Sequence, residues 1–211
     1  KYFKDLYLKN KVTSIEGDID RVICKNNKIE SVVISSGEKI DADFFVDCSG
    51  SKKVLIKNLS DEIVDYGKYL PLNEALIYKL DESDSTIPPY SSSTAMNNGW
   101  KFKIHKSNSI GSGYIYSNLF SDENKSLQEL NNFYGKSVKH IKTVKFNNTR
   151  QKNCLVGNCL TLGQSNYSVE PLQATGIHCA LVQLNDFMRN CFEDDIDMMT
   201  NEVVVKQYNQ R

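Results

Sequence analysis

Residues 163–181 read GQSNYSVEPLQATGIHCAL, and this stretch decides the fold. It follows an apolar run at 159–162 that is short enough to be a buried strand. Pro171 fixes φ where the chain turns, and the residues after it predict a helix whose first turn includes Thr175 and Gly176. The apolar residues at helical spacing are Ile177, Leu181, Leu184 and Met188. Because the first turn of a helix has unpaired N–H groups and a positive dipole, the stretch predicts a binding place for an anion such as a halide or a phosphate.

A second apolar run lies upstream, at residues 42–48, and ends in Ser49 and Gly50. Its apolar centre predicts a strand covered on both faces, as in a parallel sheet. Open α/β sheets bind ligands at the carboxyl ends of such strands, so we expect a ligand near this turn. Before it, residues 19–24 and 29–34 predict two strands joined by a polar hairpin turn.

The middle of the chain has a different pattern. Four segments alternate polar and apolar residues, as antiparallel strands with one open face do. They are 74–80, 92–97, 100–105 and 113–117. Residues 97–99 (NNG) predict a hairpin turn, Ser121 predicts the N-cap of a helix that ends at Gly135, and 141–146 predict a returning strand. The middle therefore predicts an antiparallel layer inserted between two parts of a ligand-binding sheet.

The composition favours small-molecule chemistry. Lys and Arg together number 26, as do Asp and Glu, so no global field attracts nucleic acid or anionic lipid. No apolar run approaches the roughly 18 residues of a membrane helix. The six cysteines form no C-x-x-C pair, and we expect them to be reduced core residues. We therefore expect no metal site, no membrane or nucleic-acid partner, and a cytoplasmic location.

Three segments carry a resemblance to the flavin-dependent tryptophan halogenase family. Residues 163–177 resemble the family's GNAAGFVEPLESTGI, and the glycine, the Glu-Pro pair and the Thr-Gly-Ile run align without a gap. Residues 99–105 (GWKFKIH) are similar to a segment that contains W-x-W-x-I-P in the family. Residues 42–50 look like the second flavin fingerprint of the class, a strand followed by a D-x-S-G turn.

The resemblance implies an α/β fold with α+β character. It comprises an FAD-binding ββα-type sheet of the flavin monooxygenase class and an antiparallel β-sheet substrate layer. Residues 1–50 and 139–191 are expected to form the FAD-binding portion, which is incomplete, and residues 51–138 the substrate layer. Residues 192–211 are expected to begin a C-terminal helical part.

The resemblance also implies an activity. The protein is expected to be an FADH2-dependent halogenase, an oxidoreductase that oxidises chloride or bromide with O2 and halogenates an electron-rich aromatic of the indole or phenol type. The cofactor supplies the redox chemistry while the protein binds and orients. A separate flavin reductase is implied as the partner that supplies FADH2.

Several positions carry over from the family, residue by residue. Those expected to lie near the cofactor are Asp47, Ser49, Gly50, Gly163, Gln164 and Ile177. The halide is expected at Thr175 and Gly176, a role that needs backbone donors and a positive dipole. Trp100 and Phe102 match the aromatic pair that walls the flavin side of the site, although alternating aromatics on a strand are also typical of an ordinary core.

The chain departs from the family at the catalytic position. Gln173 and Ala174 replace a Glu-Ser pair, and a Gln amide can orient a partner but cannot serve as a base near neutral pH. The aromatic substrate step is therefore expected to differ or to be lost. We interpret Glu170 as structural and His178 as a packed histidine.

Two parts of the family pattern do not occur in these 211 residues. The class holds the pyrophosphate of FAD with a G-x-G-x-x-G turn, and the chain contains none. We expect that turn, and the family's essential Lys, in an N-terminal portion outside this chain, and we expect the 211 residues alone neither to retain FAD tightly nor to halogenate. Two alternatives stay open: a flavin monooxygenase or reductase of the same fold, and a non-catalytic flavin-fold remnant. The oligomeric state is also left open.

Overall fold

The structure is a computed structural model of the chain, and it describes residues 12–80, 88–107, 109–192 and 196–210. The parts of the predicted division that fall on residues 1–11, 81–87, 108, 193–195 and 211 lie outside the described residues. The mixed α/β architecture confirms the predicted fold class.

The first described strands form a small antiparallel sheet. Strands β1 (Ile19–Lys25), β2 (Lys28–Ile34) and β3 (Lys39–Asp41) are ordered β1-β2-β3. The β1–β2 turn places Asn26 and Asn27 at φ 49° and 59°, and positive φ at both central residues is what a tight hairpin requires. The predicted hairpin is confirmed.

The sheet that was predicted to bind a ligand is built on one parallel pair. Strand β4 (Phe45–Asp47) runs parallel to β13 (Cys159–Thr161), which also pairs antiparallel with β12 (Leu155–Val156). The prediction that the run at 42–48 contains a strand of a parallel sheet is confirmed, and its parallel neighbour was not predicted. The predicted burial of both faces is wrong at Val46, which is 45% exposed because no described element covers that face of β4.

A five-stranded antiparallel sheet forms the second layer. Its order is β10-β6-β9-β8-β7, and its strands are β6 (Glu74–Lys79), β7 (Ser92–Met96), β8 (Gly99–Lys106), β9 (Ser109–Tyr116) and β10 (Lys139–Lys145). Helix α1 (Glu123–Tyr134) packs on one face, where Leu130 joins Leu76 and Tyr114 in the core. Asp122 caps the helix by accepting from the N–H of Lys125, so the predicted cap at Ser121 is wrong by one residue.

A third small sheet joins the two layers. It is ordered β14-β11-β5, with β5 (Ile63–Asp65), β11 (Thr149–Gln151) and β14 (Tyr167–Ser168). Strand β10 was assigned to the FAD-binding portion from the sequence, yet it pairs with β6 in the antiparallel sheet. Leu55 and Ile56, assigned to the substrate layer, pack against Phe45 and Cys159 of the parallel pair. The strand pairing therefore crosses both predicted boundaries, because local patterns do not show which strands become neighbours.

In the described residues after the parallel pair, the structure has three α-helices. They are α2 (Gly176–Asn190), α3 (Ile196–Met199) and α4 (Glu202–Asn209). The predicted helix after the Thr-Gly pair is confirmed, and the residue of α2 that enters the core is Phe187, which packs with Leu160 and Tyr208. The apolar stripe named from the sequence, Ile177, Leu181, Leu184 and Met188, is exposed instead. Among the helices that the structure describes, none is both long and apolar enough to cross a membrane.

The cysteines divide by position. All six are free, and Cys159 and Cys191 are buried, as core thiols are expected to be. Cys24 and Cys48 are exposed, so the core prediction is wrong for these two. Cys24 lies on the outer strand β1 and Cys48 lies in the turn after β4, where the chain leaves the sheet.

Candidate active site

Two turns meet where the parallel strands end. Gly50 and Gly163 have φ of 69° and 65°, which L side chains rarely adopt. The O of Asp47 accepts from the N–H of Leu162 at 3.0 Å and also from the hydroxyl of Ser165. The two turns are therefore held to each other at the carboxyl edge of the sheet, where open α/β folds bind ligands.

Asp47 holds the first turn from within. Its side chain is 1% exposed, and each carboxylate oxygen accepts two hydrogen bonds. One oxygen accepts from the N–H and the hydroxyl of Ser49 at 2.9 and 2.6 Å, and the other accepts from the N–H groups of Leu55 and Ile56 at 2.9 Å. The carboxylate therefore shapes the Ser49-Gly50 turn, and its predicted closeness to a cofactor remains a prediction.

The predicted halide positions lie at an open helix start. The N–H of Ala174 donates to the O of Pro171 at 2.9 Å, which closes a turn directly before α2. Thr175 occupies the N-cap position without a side-chain capping bond, and Gly176 and Ile177 are exposed, the latter by 78%. The first-turn N–H groups of α2 are thus free of a capping side chain, which is the arrangement that binds an anion.

The second turn brings this helix start close to the sheet edge. A Cβ placed on Gly163 would lie 3.9 Å from the Cβ of Ala180 on α2, and one placed on Gly50 would lie 3.8 Å from the Oε1 of Gln164. One placed on Gly176 would meet nothing within 4 Å. The side chains of Ala180 and Gln164 thus lie at van der Waals distance from the two turns, while the backbone at Gly176 is open.

The two residues that were predicted to form an aromatic wall, Trp100 and Phe102, lie on one face of β8. Trp100 and Phe102 have ring centroids 5.9 Å apart at 50°, and Trp100 is 8% exposed. Gly113 of β9 lies opposite Phe102, and a Cβ there would come within 2.5 Å of the Phe102 ring. Sequence reasoning missed Gly113, although a glycine inside an alternating strand pattern is a known sign of close packing.

A hydrogen bond joins Trp100 on β8 to the loop before α2. The Nε1–H of Trp100 donates to the Oε1 of Glu170 at 2.5 Å, and the N–H of Glu170 donates to the Oδ1 of Asn148 at 2.7 Å. The first contact joins residues 70 positions apart in the chain, and the second joins residues 22 positions apart. Sequence reasoning did not connect them, since no local pattern relates a strand residue to a distant loop carboxylate.

The remaining predicted positions are exposed. Gln173 lies on the surface of the turn before α2, next to Ala174, whose φ is 51°. His178 is exposed on the first turn of α2, so its interpretation as a packed histidine is wrong. The role of Gln173 toward a bound molecule remains a prediction.

Two titratable groups near the turns, Cys48 and Tyr167, favour their neutral forms. Cys48 is exposed at its surface, yet partial desolvation of its thiol by the surrounding turn raises its pKa, and the nearby Asp47 carboxylate raises it further. Burial also raises the pKa of Tyr167, whose hydroxyl donates to the O of Gly176 at 2.5 Å. Both groups therefore stay protonated near neutral pH. Across the described part of the chain, no group of three or more His, Cys, Asp or Glu residues could hold a metal ion.

Comparison of the sequence with known proteins gives one consistent result. A family model described as tryptophan halogenase matches residues 1–211. The tryptophan 7-halogenase RebH of Lentzea aerocolonigenes is 30% identical over 190 residues, which cover 88% of this chain and 35% of that protein. The tryptophan 7-halogenase KtzQ of Kutzneria sp. (strain 744) is 34% identical over 168 residues, covering 77% of this chain and 31% of that protein. The chain thus spans about a third of the length of these curated relatives.

Solved structures share the fold. The flavin-dependent halogenase BrvH from Brevundimonas sp. BAL3 superposes with a TM-score of 0.86 at 21% identity, covering 99% of this chain and 43% of that one. The tryptophan 6-halogenase SttH from Streptomyces toxytricini superposes with a TM-score of 0.82 at 27% identity, covering 99% of this chain and 42% of that one.

Proposed function

We propose, because the chain belongs to the tryptophan halogenase family, that it forms the halide-holding and wall-forming part of an FADH2-dependent halogenase. The substrate class is an electron-rich aromatic of the indole or phenol type, and the halide is chloride or bromide. The single observation that carries the proposal is the uncapped start of α2, which presents Thr175 and Gly176 beside the two glycine turns.

The bare backbone around the turns fits a flavin. Gly50, Gly163 and Gly176 leave space that any Cβ would narrow, and two of them have the positive φ that favours glycine. Residues 47–50, Gly163, Gln164 and the backbone of Ile177 would hold the cofactor. Reduced FAD, when bound, supplies the electrons that activate O2 and so makes halide oxidation possible.

Thr175 and Gly176 would hold the halide. A halide ion is bound by hydrogen-bond donors and by a positive electrostatic potential. The backbone N–H groups at the start of a helix supply the donors, and the helix dipole supplies the potential, so no charged side chain is needed. The exposure of Gly176 and Ile177 leaves those donors accessible.

Trp100 and Phe102 would separate the cofactor side from the organic substrate. Trp100 is packed against Ala75 and Ile115, so its ring is a fixed surface and not a mobile one. A fixed apolar wall excludes water from the reacting species, which limits their loss to solvent.

The substrate step is where this chain is expected to differ from its relatives. Gln173 cannot accept a proton from a halogenated ring as a carboxylate could. This replacement also favours a second candidate, a flavin monooxygenase or reductase of the same fold. The separate flavin reductase and the cytoplasmic location remain predictions.

The gene product at its natural length tests the proposal. It would be incubated with FAD, a flavin reductase, chloride or bromide and a mixture of indoles and phenols, and products would be identified by the halogen isotope pattern in mass spectrometry. A halogenated product supports the proposal, whereas a hydroxylated product, or flavin oxidation without product, supports the alternatives.

Two variants separate binding from folding. Gly176→Ala adds a methyl group beside the proposed halide position and should lower halogenation about tenfold, while raising the free energy of unfolding by about 0.5 kcal/mol through a less flexible unfolded chain. Asn185→Ala changes an exposed residue of the same helix and should leave halogenation unchanged. Equal activity of the two variants would contradict a halide site at the start of α2.

A further inference from the structure

We infer that Glu170 is a positioning residue, whose carboxylate fixes the indole of Trp100 and thereby sets the aromatic wall relative to the halide-holding loop. This inference rests on the proposed function, since the wall and the loop have their roles within it. It assigns Glu170 a part in halogenation that a merely structural glutamate would not have.

The contact itself is close and directional. The Nε1–H of Trp100 donates to the Oε1 of Glu170 at 2.5 Å, and the indole is 8% exposed. A hydrogen bond to an ionised carboxylate is shorter and about twice as strong as one between neutral groups. Phe102, Ala75 and Ile115 pack against the indole ring, so the carboxylate holds its polar edge while the core holds its faces.

The backbone of Glu170 is anchored separately from its side chain. Its N–H donates to the Oδ1 of Asn148, a residue that is 2% exposed. The Nδ2 of Asn148 donates to the O of Leu70 at 2.6 Å and to the O of Leu72 at 2.7 Å. Because Asn148 is fixed by the neighbouring loop, Glu170 has a rigid base from which its side chain reaches the wall.

The residues after Glu170 connect this fixed point to the proposed halide position by a short turn. Pro171 follows Glu170 directly, and the turn that it begins ends at Ala174, immediately before Thr175 and Gly176. The loop and the wall are therefore fixed to one residue, and a shift of its side chain would change the space between them. Because the Oε1 of Glu170 accepts the indole N–H, the residue acts through Trp100.

The test is a double-mutant cycle in the gene product at its natural length. The variants are Glu170→Gln, Trp100→Phe and the two combined, with Glu30→Gln on the exposed face of β2 as the matched control. Each is assayed for halogenated product formed per flavin oxidised, and for hydrogen peroxide released. The indole N–H resonance that Trp100→Phe removes is followed by NMR, which needs no activity.

We expect Glu170→Gln to lower halogenated product per flavin oxidised about tenfold, with more peroxide and an unchanged rate of flavin oxidation. The combined variant should be no worse than Trp100→Phe alone, because Glu170 acts through the indole. The indole resonance should move upfield in Glu170→Gln as the charged acceptor is lost. Glu30→Gln should match the wild type.

Three outcomes would overturn the inference. They are a wild-type yield of halogenated product per flavin oxidised in Glu170→Gln, a combined variant in which the two losses of that yield add fully, or an indole resonance that does not move. If Glu170→Gln does not fold, Glu170→Asp supplies the test, since it keeps the charge but withdraws the carboxylate from the indole N–H by one methylene, and it should show the same loss of halogenated product per flavin oxidised. A wild-type protein that makes no halogenated product contradicts the proposed function, and an indole resonance unmoved by Glu170→Gln contradicts the contact itself.

Discussion

The turn after β4, at residues 48–56, and the loop between β14 and α2, at residues 169–175, precede and follow the Gly163 turn in the chain. Different contacts hold them in place. Asp47 holds the first turn from within, because its buried carboxylate accepts four hydrogen bonds from residues 49–56 of its own segment. The second is held from outside, through the contacts of Glu170 with Trp100 and Asn148. The first turn is therefore built locally, whereas the second depends on the antiparallel layer being in place.

Asp47→Ala should break the first turn with the largest effect. Four donors would lose their common acceptor in a buried site, so the free energy of unfolding should fall by about 4 kcal/mol. Urea denaturation measures the loss. Asp43→Asn, an exposed change just before β4, should stay within about 0.5 kcal/mol of the wild type. A small loss in Asp47→Ala would mean that the turn is held by its neighbours and not by the carboxylate.

Asn148→Ala should loosen the second loop with a smaller effect. It removes two donated bonds to Leu70 and Leu72 and one accepted bond from Glu170, so we expect a loss of about 3 kcal/mol in unfolding free energy. The exposed neighbour change Asn147→Ala is the control. If Asn148→Ala speeds amide hydrogen exchange in the turn after β4 and not in the loop before α2, Asn148 does not hold that loop.

Alkaline pH should lower the free energy of unfolding through Cys159 on β13, the strand that leads into the Gly163 turn. Burial raises the pKa of the Cys159 thiol to about 12, above its value in the unfolded chain. The folded state then holds the thiol proton more tightly than the unfolded chain does. The resulting contribution to the free energy of unfolding is complete below about pH 9 and is lost as the pH rises toward 12. Between pH 9 and 10 the wild type should lose about 1 kcal/mol more than Cys159→Ala. Cys24→Ala, at an exposed thiol, should keep a slope close to that of the wild type.

Ala174→Gly should sharpen the comparison with the smallest effect. Ala174 has a φ of 51°, and glycine relieves that strain while adding freedom to the unfolded chain. A net gain of about 0.5 kcal/mol is expected from thermal unfolding. Ala180→Gly, inside α2, should instead cost about 1 kcal/mol. A loss in Ala174→Gly would show that the left-handed turn is not strained.

Much of the local structure could be predicted. The β1–β2 hairpin, the strands of the antiparallel layer and the start of α2 follow from alternation, turn residues and Pro171, which act over a few positions. The helix cap was misplaced by one residue because Ser121 and Asp122 are both good caps and only packing selects between them. The exposed stripe of α2 was not foreseen, since periodicity shows that a stripe exists but not what covers it.

The sequence by itself determined the strand, bend and helix start at 159–177, together with the family resemblance, because those features depend on residues that are close in the chain. Only the tertiary structure decided that β10 joins the antiparallel sheet, that Phe187 is the buried residue of α2, and that Glu170 bonds to Trp100. These contacts join residues far apart in sequence. Their formation depends on the packing of whole layers, which no local pattern contains.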